Sequence, residues 1–137
     1  MNITLEQPVG ASLVTSDDQE RAVPATLRYT SADPLAVHLD FPAHVTLDGE
    51  EVTWTFARAL LEEGLGTAAG IGIVHIRPSG QFRTVVEFHS PQGVAMIRFD
   101  TLVLRRFLLR TYTVVEPGSE VVGVVLDQGL TSLFGAN

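Results

Sequence analysis

Alternation of apolar and polar side chains over residues 35–41 is the sequence feature that most constrains the fold. Neighbouring side chains of a β-strand point to opposite faces, so this alternation predicts a strand with one face in the core. The apolar positions are Leu35, Val37, Leu39 and Phe41. His38 falls on the opposite face, which we expect to meet solvent.

Further strands are predicted on both sides of this segment. Residues 3–15 predict one long strand or a strand pair, and residues 27–29 predict a short strand. Residues 45–47 and 51–56 predict a hairpin, because the Asp-Gly dipeptide between them supplies the positive φ angles of a tight turn. Trp54 lies on the apolar face of the second hairpin strand and is a predicted core residue.

A short helix and a three-stranded meander follow the hairpin. Residues 57–63 are good helix formers, and Gly64 is predicted to stop the helix at its C′ position. The meander strands are predicted at residues 71–77, 82–89 and 94–99, with proline and glycine in the turns. One face of the middle strand carries Phe82, Thr84, Val86 and Phe88.

The longest predicted helix covers residues 101–113, with Asp100 as its N-cap. A stripe of the helix is apolar and is expected to face the sheet. That stripe contains Val103, Leu104, Phe107, Leu108 and Thr111. The opposite side interleaves large side chains with arginine, at Leu102, Arg105, Arg106, Leu109, Arg110 and Tyr112.

A helix with apolar residues on both sides is either buried on both sides or docks a partner. Apolar centres rimmed by arginine are typical of protein interfaces. We therefore interpret the outer side of the helix as a contact to another subunit or a partner protein. The alternative is that a C-terminal segment of the same chain covers it: residues 121–126 predict a last strand or an extended connection, and Asp127 caps terminal helical turns.

Composition excludes several classes of function. The net charge of −7 disfavours general nucleic-acid affinity, because that affinity rests on the neutralisation of phosphates. The chain has no cysteine, hence no disulfide and no thiolate metal site. Residues 1–137 contain neither a secretory signal nor a membrane-spanning apolar run, and we predict a single cytoplasmic domain with apolar residues to spare for a subunit interface.

No familiar catalytic or metal-binding pattern occurs in the sequence. The four histidines lack the paired spacing of metal ligands, although strand pairing could bring His75 and His89 together. The lone Gly-x-Gly at residues 70–72 leads into a strand, so it offers no helix N–H groups to a phosphate. We therefore predict a protein that is not an enzyme, with no catalytic residue, metal, cofactor or small-molecule substrate.

A series of short motifs is spread over roughly residues 24–120, most of the chain. They are Leu27-Arg28-Tyr29, Ala32-Asp33-Pro34, Trp54-x-Phe56-Ala57-Arg58, Glu63-Gly64-Leu65, Ser90-Pro91-x-Gly93, Phe107-Leu108 and Pro117-Gly118-x-Glu120. In their order and spacing they resemble the SsgA-like family of sporulation and cell-division regulators, and its SsgB branch most of all. Ala59 departs from the family pattern, which usually has an acidic residue after the arginine.

The resemblance implies a function that the residue pattern alone does not reach. SsgB-type proteins recruit the tubulin-like FtsZ to future septum sites, promote its polymerisation and cooperate with SsgA. The resemblance also implies a homo-oligomer with a trimer favoured, location at the division septum, and membrane contact only through other proteins.

The expected fold is therefore α+β: a curved antiparallel sheet with one long packed C-terminal helix and short helices, similar to the Whirly-type single-stranded nucleic-acid binders. That likeness gives an alternative function, single-stranded nucleic-acid binding, which the acidic charge opposes.

Overall fold

The computed structural model describes residues 1–15, 17, 19–46 and 49–120. The elements within these residues are β1 (Thr4–Val14), β2 (Glu20–Thr30), β3 (Ala36–Phe41), β4 (Val52–Ala57), α1 (Arg58–Gly64), β5 (Val74–Ser79), β6 (Arg83–Ser90), β7 (Gly93–Asp100) and α2 (Thr101–Val114). The predicted strand or connection at residues 121–126 and the turns capped by Asp127 lie outside the described residues.

The strands form one antiparallel sheet in the order β4-β3-β2-β1-β7-β6-β5. The sheet curls strongly, since the ring of Trp54 in β4 stacks on that of Phe88 in β6 with 4.4 Å between ring centroids. Helix α1 packs against the edge strands β4 and β5, and α2 packs against the central strands β1 and β7. The predicted α+β class with a curved antiparallel sheet is confirmed, and Trp54 packs against the core as predicted.

Strand β2 is much longer than the predicted strand at residues 27–29. It pairs with β1 along its whole length, and its first half contains Pro24. Within sheets, proline is confined mainly to positions whose N–H side has no neighbouring strand, to strand starts and to bulges. Strand β3 pairs with β2 only at Thr26–Arg28, so Pro24 lies beyond the part of β2 that has neighbours on both sides.

The predicted hairpin of residues 45–47 with 51–56 is wrong. Ala43–Val45 form a turn of 3-10 helix instead, and β4 pairs with β3 in the register Val37↔Phe56 and Leu39↔Trp54. Gly49 has the expected positive φ of 73°, while Asp48 lies outside the described residues. The partner of β4 is therefore β3, the strand with strict alternation of apolar and polar residues, and this pairing aligns two apolar faces.

Two side chains of the meander lie in environments that the alternation along the middle strand does not predict. Phe82 precedes β6 and is 74% exposed, whereas Thr84, Val86 and Phe88 are buried as one face of the strand. Val85 lies on the opposite face and is also buried. It pairs with Arg77 on one side and Arg98 on the other, and such long side chains can cover a small apolar neighbour with their stems.

Gly64 does not act as a left-handed helix stop. It is the last residue of α1 and is buried against β5. A Cβ atom at this position would lie 2.4 Å from the Cβ and Cγ2 atoms of Ile76. The absence of a side chain is therefore what allows the end of α1 to approach β5.

We expect Gly64→Ala to lower the free energy of unfolding by about 1–3 kcal/mol through overpacking. Alanine is the better helix former by about 1 kcal/mol, so a loss of stability isolates the steric cost. Urea denaturation measures it, with Gly66→Ala as the control because the nearest atom there is 3.8 Å away. Equal stability of the Gly64→Ala and wild-type proteins would contradict the close-approach explanation.

Candidate partner interface

The outer side of α2 presents apolar side chains to solvent, as the sequence predicts. Leu102 is 58% and Leu109 is 57% exposed, while Leu104, Phe107 and Leu108 are buried against the sheet. The helix begins after Asp100, whose side chain makes no capping hydrogen bond. Because large exposed apolar side chains in a cluster are typical of binding surfaces, the outer side of α2 is a candidate interface.

Phe82 extends this exposed surface beyond the helix. Its carbonyl oxygen accepts a 2.9 Å hydrogen bond from the backbone N–H of Thr101, which places the turn before β6 at the start of α2. Phe82 and Leu102 line one shallow cavity together with Arg105 and Arg106. We call Phe82, Leu102, Arg105, Arg106 and Leu109 the α2 patch.

Sequence patterning could not find Phe82, because its position continues the alternation of Thr84, Val86 and Phe88. The signal that could have found it is the preceding Pro-Ser-Gly turn: a residue two positions after such a glycine can still belong to the turn.

The two arginines of the α2 patch lack the carboxylate partners that five arginines elsewhere in the described residues have. Among the residues the structure describes, Arg105 and Arg106 make no ion pair or side-chain hydrogen bond. Arg110, predicted with them, donates to the side-chain oxygen of Gln7 at 2.8 Å, which ties it to β1. The two free guanidinium groups are therefore available to carboxylates of a partner.

Tyr112 differs from the other predicted interface residues because it is half-buried. Its hydroxyl donates to Glu62 in α1 at 2.9 Å, and its ring lies 5.0 Å from the guanidinium of Arg58. Burial, and then the hydrogen bond to Glu62, raise the pKa of Tyr112 to about 12. Tyr112 therefore joins the two helices of one subunit.

Arg58 is the centre of a buried cluster below Tyr112. The side chain is 2% exposed and lies between the rings of Tyr29 and Tyr112. It donates to the carbonyl oxygen of Val115 at 2.7 Å and to the carboxylate of Glu120 at 2.5 Å. One guanidinium thus satisfies the C-terminal end of α2 and fixes the chain that follows it.

Several motif residues that carry the family resemblance meet in or near this cluster. Arg58 contacts both Tyr29 and Glu120, and the Tyr29 hydroxyl donates to the carbonyl oxygen of Pro34 at 2.8 Å. Trp54, another motif residue, stacks on Phe88 and closes the curl of the sheet. These motif residues are explained by folding, and the exposed residues of the α2 patch lie outside the motifs.

The structure brings His75 and His89 together, with ring centroids 4.5 Å apart. His89 contacts Glu87 at 3.1 Å, and Arg77 also binds this carboxylate. Among the described residues, no group of three or more histidine, aspartate or glutamate side chains is arranged to hold a metal ion. None of the helices formed by these residues has the length and apolar character needed to cross a membrane.

Comparison with known proteins gives one consistent family. The family model described as Streptomyces sporulation and cell division protein, SsgA, matches residues 23–120. The sporulation-specific cell division protein SsgB of Streptomyces coelicolor is 40% identical over 137 residues, covering 98% of both chains. SsgB of Salinispora tropica is 41% identical over 135 residues, covering 96% of this chain and 93% of the relative.

Solved structures show the same similarity in three dimensions. An SsgB structure from work on longitudinal cell division during sporulation of Streptomyces coelicolor has a TM-score of 0.79 and 41% identity, covering 88% of this chain and 94% of that one. An SsgA-like sporulation-specific cell division protein from Thermobifida fusca has a TM-score of 0.80 and 33% identity, covering 95% of each. The relatives are named as cell division proteins and not as enzymes, in agreement with the predicted non-enzymatic role.

Proposed function

Since the chain belongs to the SsgA family of sporulation and cell division proteins, we propose that it is an adaptor that recruits FtsZ to future septum sites and promotes FtsZ polymerisation. The family match over residues 23–120 carries this proposal. In the same proposal the protein forms one cytoplasmic domain, assembles as a homo-oligomer, preferably a trimer, cooperates with SsgA and reaches the membrane only through other proteins.

The surface of the molecule supports a binding role. The α2 patch combines three exposed apolar side chains with two arginines that have no partner in the described part of the chain, which is the composition of an interface centre. An adaptor needs more than one such surface, because it must hold FtsZ and other copies of itself at once. Multivalent display of FtsZ-binding surfaces by an oligomer would raise the local concentration of FtsZ and so favour its polymerisation.

Co-sedimentation with purified FtsZ tests the proposal. In the presence of GTP, we expect the protein to increase the mass of FtsZ polymer in the pellet and to appear in that pellet itself. The control is FtsZ with GDP, where polymer and bound protein should both be low. Unchanged polymer mass and filament length at saturating concentrations of the protein would contradict the adaptor role.

The alternative function is single-stranded nucleic-acid binding, which follows from the expected likeness to Whirly-type folds. The arginines on the outer face of the sheet support this alternative less well than the adaptor role. Each arginine near its β5–β7 end is already bound to a carboxylate: Arg77 to Glu87, Arg98 to Glu20, and Arg83 to Asp100 at 3.3 Å. A phosphate would have to displace these carboxylates, and the net charge of −7 opposes its approach.

A gel-shift titration with single-stranded DNA at low salt separates the two functions. We expect no shift at protein concentrations of about 10 µM, which lies within the usual range of non-specific binding. Binding that weakens steeply as salt is added would favour the alternative.

A further inference from the structure

A second exposed apolar surface lies in the connection between α1 and β5. Ile71 is 96% exposed and Ile73 is also exposed, on a segment rich in glycine. Ala69 and Ile76 exchange two backbone hydrogen bonds of 2.8 and 2.9 Å, which fixes the base of this segment. The two exposed isoleucines therefore lie on a loop whose ends are held together by backbone hydrogen bonds.

The backbone conformation at Gly70 helps to fix the exposed position of Ile71. Gly70 has a φ of +114°, and a Cβ atom there would lie 2.4 Å from the carbonyl oxygen of Val74. The backbone N–H of His89 donates to the carbonyl oxygen of Ile73 at 2.7 Å, which holds the other end against β6. Ile71 is thus held outward between two anchored points.

The charge beside these isoleucines is opposite to that of the α2 patch. Glu63, at the end of α1, lines one shallow cavity with Ile71 and Ile73. Within the described part of the chain, its carboxylate has no hydrogen-bond or ion-pair partner. We call Glu63, Ile71 and Ile73 the Ile71 patch.

The two patches lie over different parts of the sheet. The α2 patch belongs to the helix that packs on the central strands β1 and β7, together with the turn before β6. The Ile71 patch lies between the edge strands β4 and β5, since its cavity is also lined by Thr55 and Val74. Because they are different surfaces, one copy can use both at the same time.

We propose that the α2 patch of one copy docks on the Ile71 patch of a second copy, in a head-to-tail contact. Arg105 and Arg106 meet Glu63, and Phe82, Leu102 and Leu109 pack on the isoleucines. Such a heterologous contact generates a closed ring when its rotation closes. The inference rests on the homo-oligomer of the proposed function and names the two surfaces that build it.

Mixing two variants tests the head-to-tail contact directly. Arg106→Glu/Leu109→Glu removes the α2 patch, and Ile71→Glu removes the Ile71 patch. We expect each variant alone to be monomeric by light scattering, with the dissociation constant raised about 100-fold or more by a buried, uncompensated carboxylate. Equal amounts of the two should form a heterodimer, because one wild-type α2 patch and one wild-type Ile71 patch remain.

Matched controls separate the contact from general effects of charge. Arg21→Glu changes an exposed arginine outside both patches, and Leu35→Glu changes an exposed leucine outside both patches. Both control variants should keep the wild-type oligomeric size. Circular dichroism melts of all variants check that the fold is intact.

Three results would overturn the inference: a patch variant that keeps the wild-type size, a mixture that stays monomeric, or a monomeric wild-type protein. The last would also remove the homo-oligomer from the proposed function. Co-sedimentation with FtsZ decides the adaptor role independently, because recruitment by a monomer would still be seen in that assay.

Discussion

Phe88→Ala should lower the free energy of unfolding by about 3–5 kcal/mol, the usual cost of removing a buried phenylalanine side chain. Phe88 is 1% exposed and stacks on Trp54, with an angle of 28° between the ring planes. This stack joins β6 to β4 across the curl of the sheet. The substitution therefore creates a cavity and also removes the contact that holds two distant strands together.

Phe82→Ala is the matched control for this prediction. The same atoms are removed six residues earlier in the chain, but from a side chain that is 74% exposed. We expect its free energy of unfolding to stay within about 0.5 kcal/mol of wild type. If Phe82 belongs to the α2 patch as proposed, its removal should weaken self-association instead.

Guanidinium denaturation followed by the fluorescence of Trp54, the one tryptophan of the chain, measures both variants. All samples need the same protein concentration, because association of folded copies stabilises them by mass action. The native fluorescence of Phe88→Ala should also shift to the red as Trp54 loses its stacking partner. Equal stability of the two variants would contradict the placement of Phe88 in the core.

Local patterns predicted the regular elements best where the period was sustained. The helix predicted at residues 101–113 is observed at Thr101–Val114, and the predicted stripe is buried except for Val103, which is partly buried. The alternation at residues 35–41 likewise gave the buried face of β3, apart from Leu35 before the strand. In both cases many residues repeat the same periodic signal, so no single position decides the result.

Predictions failed where a distant neighbour decides the outcome. The pairing of β4 with β3 depends on the fit of two apolar faces, and a local Asp-Gly signal cannot report that fit. The role of Gly64 depends on Ile76, twelve residues further along the chain. Neither contact can be predicted from the periodicity of a short sequence window, because both partners of each contact do not lie within that window.

The candidate interface shows the same division between local and distant causes. The helical period placed Leu102 and Leu109 outside, where they are found. The helical period also placed Tyr112 on the exposed side. In the structure its hydroxyl donates to Glu62 of α1, and the periodicity of α2 carries no information about that neighbouring helix. Arg58 was recognised only as part of a motif, although the structure shows that its charge is buried in the subunit.

Arg58→Met should lower the free energy of unfolding by about 3 kcal/mol or more, because it removes a buried cation that donates to the end of α2 and to Glu120. The carbonyl oxygen of Val115 loses its Arg58 donor and Glu120 loses its cation, while the carbonyl oxygen of Thr111 keeps only the backbone N–H of Val115. Arg77→Met is the matched control, since the Arg77–Glu87 pair lies nearer the surface and should contribute about 1 kcal/mol at most.

The same cluster predicts a dependence of stability on pH. The hydrogen bond from Arg58 holds the pKa of the Glu120 carboxyl below its ordinary value of 4.5. Folding lowers the pKa of this carboxyl, so the carboxylate stabilises the folded protein at pH values above the pKa that the carboxyl has in the unfolded chain. This stabilisation is lost as the pH falls through the pKa of the carboxyl in the folded protein. Wild type should therefore lose more stability than Glu120→Gln as the pH falls from neutral to below 4.5.

Denaturation of wild type, Arg58→Met, Glu120→Gln and the double variant at neutral and acid pH completes the test. Because the two side chains contact each other, the double variant should be less destabilised than the sum of the single variants. The acid-dependent difference between wild type and Glu120→Gln should shrink in the Arg58→Met background, because the main cause of the lowered pKa of Glu120 is gone and only backbone N–H groups still bind the carboxylate. Additive losses, or the same pH dependence in both backgrounds, would show that Arg58 and Glu120 stabilise the end of α2 independently.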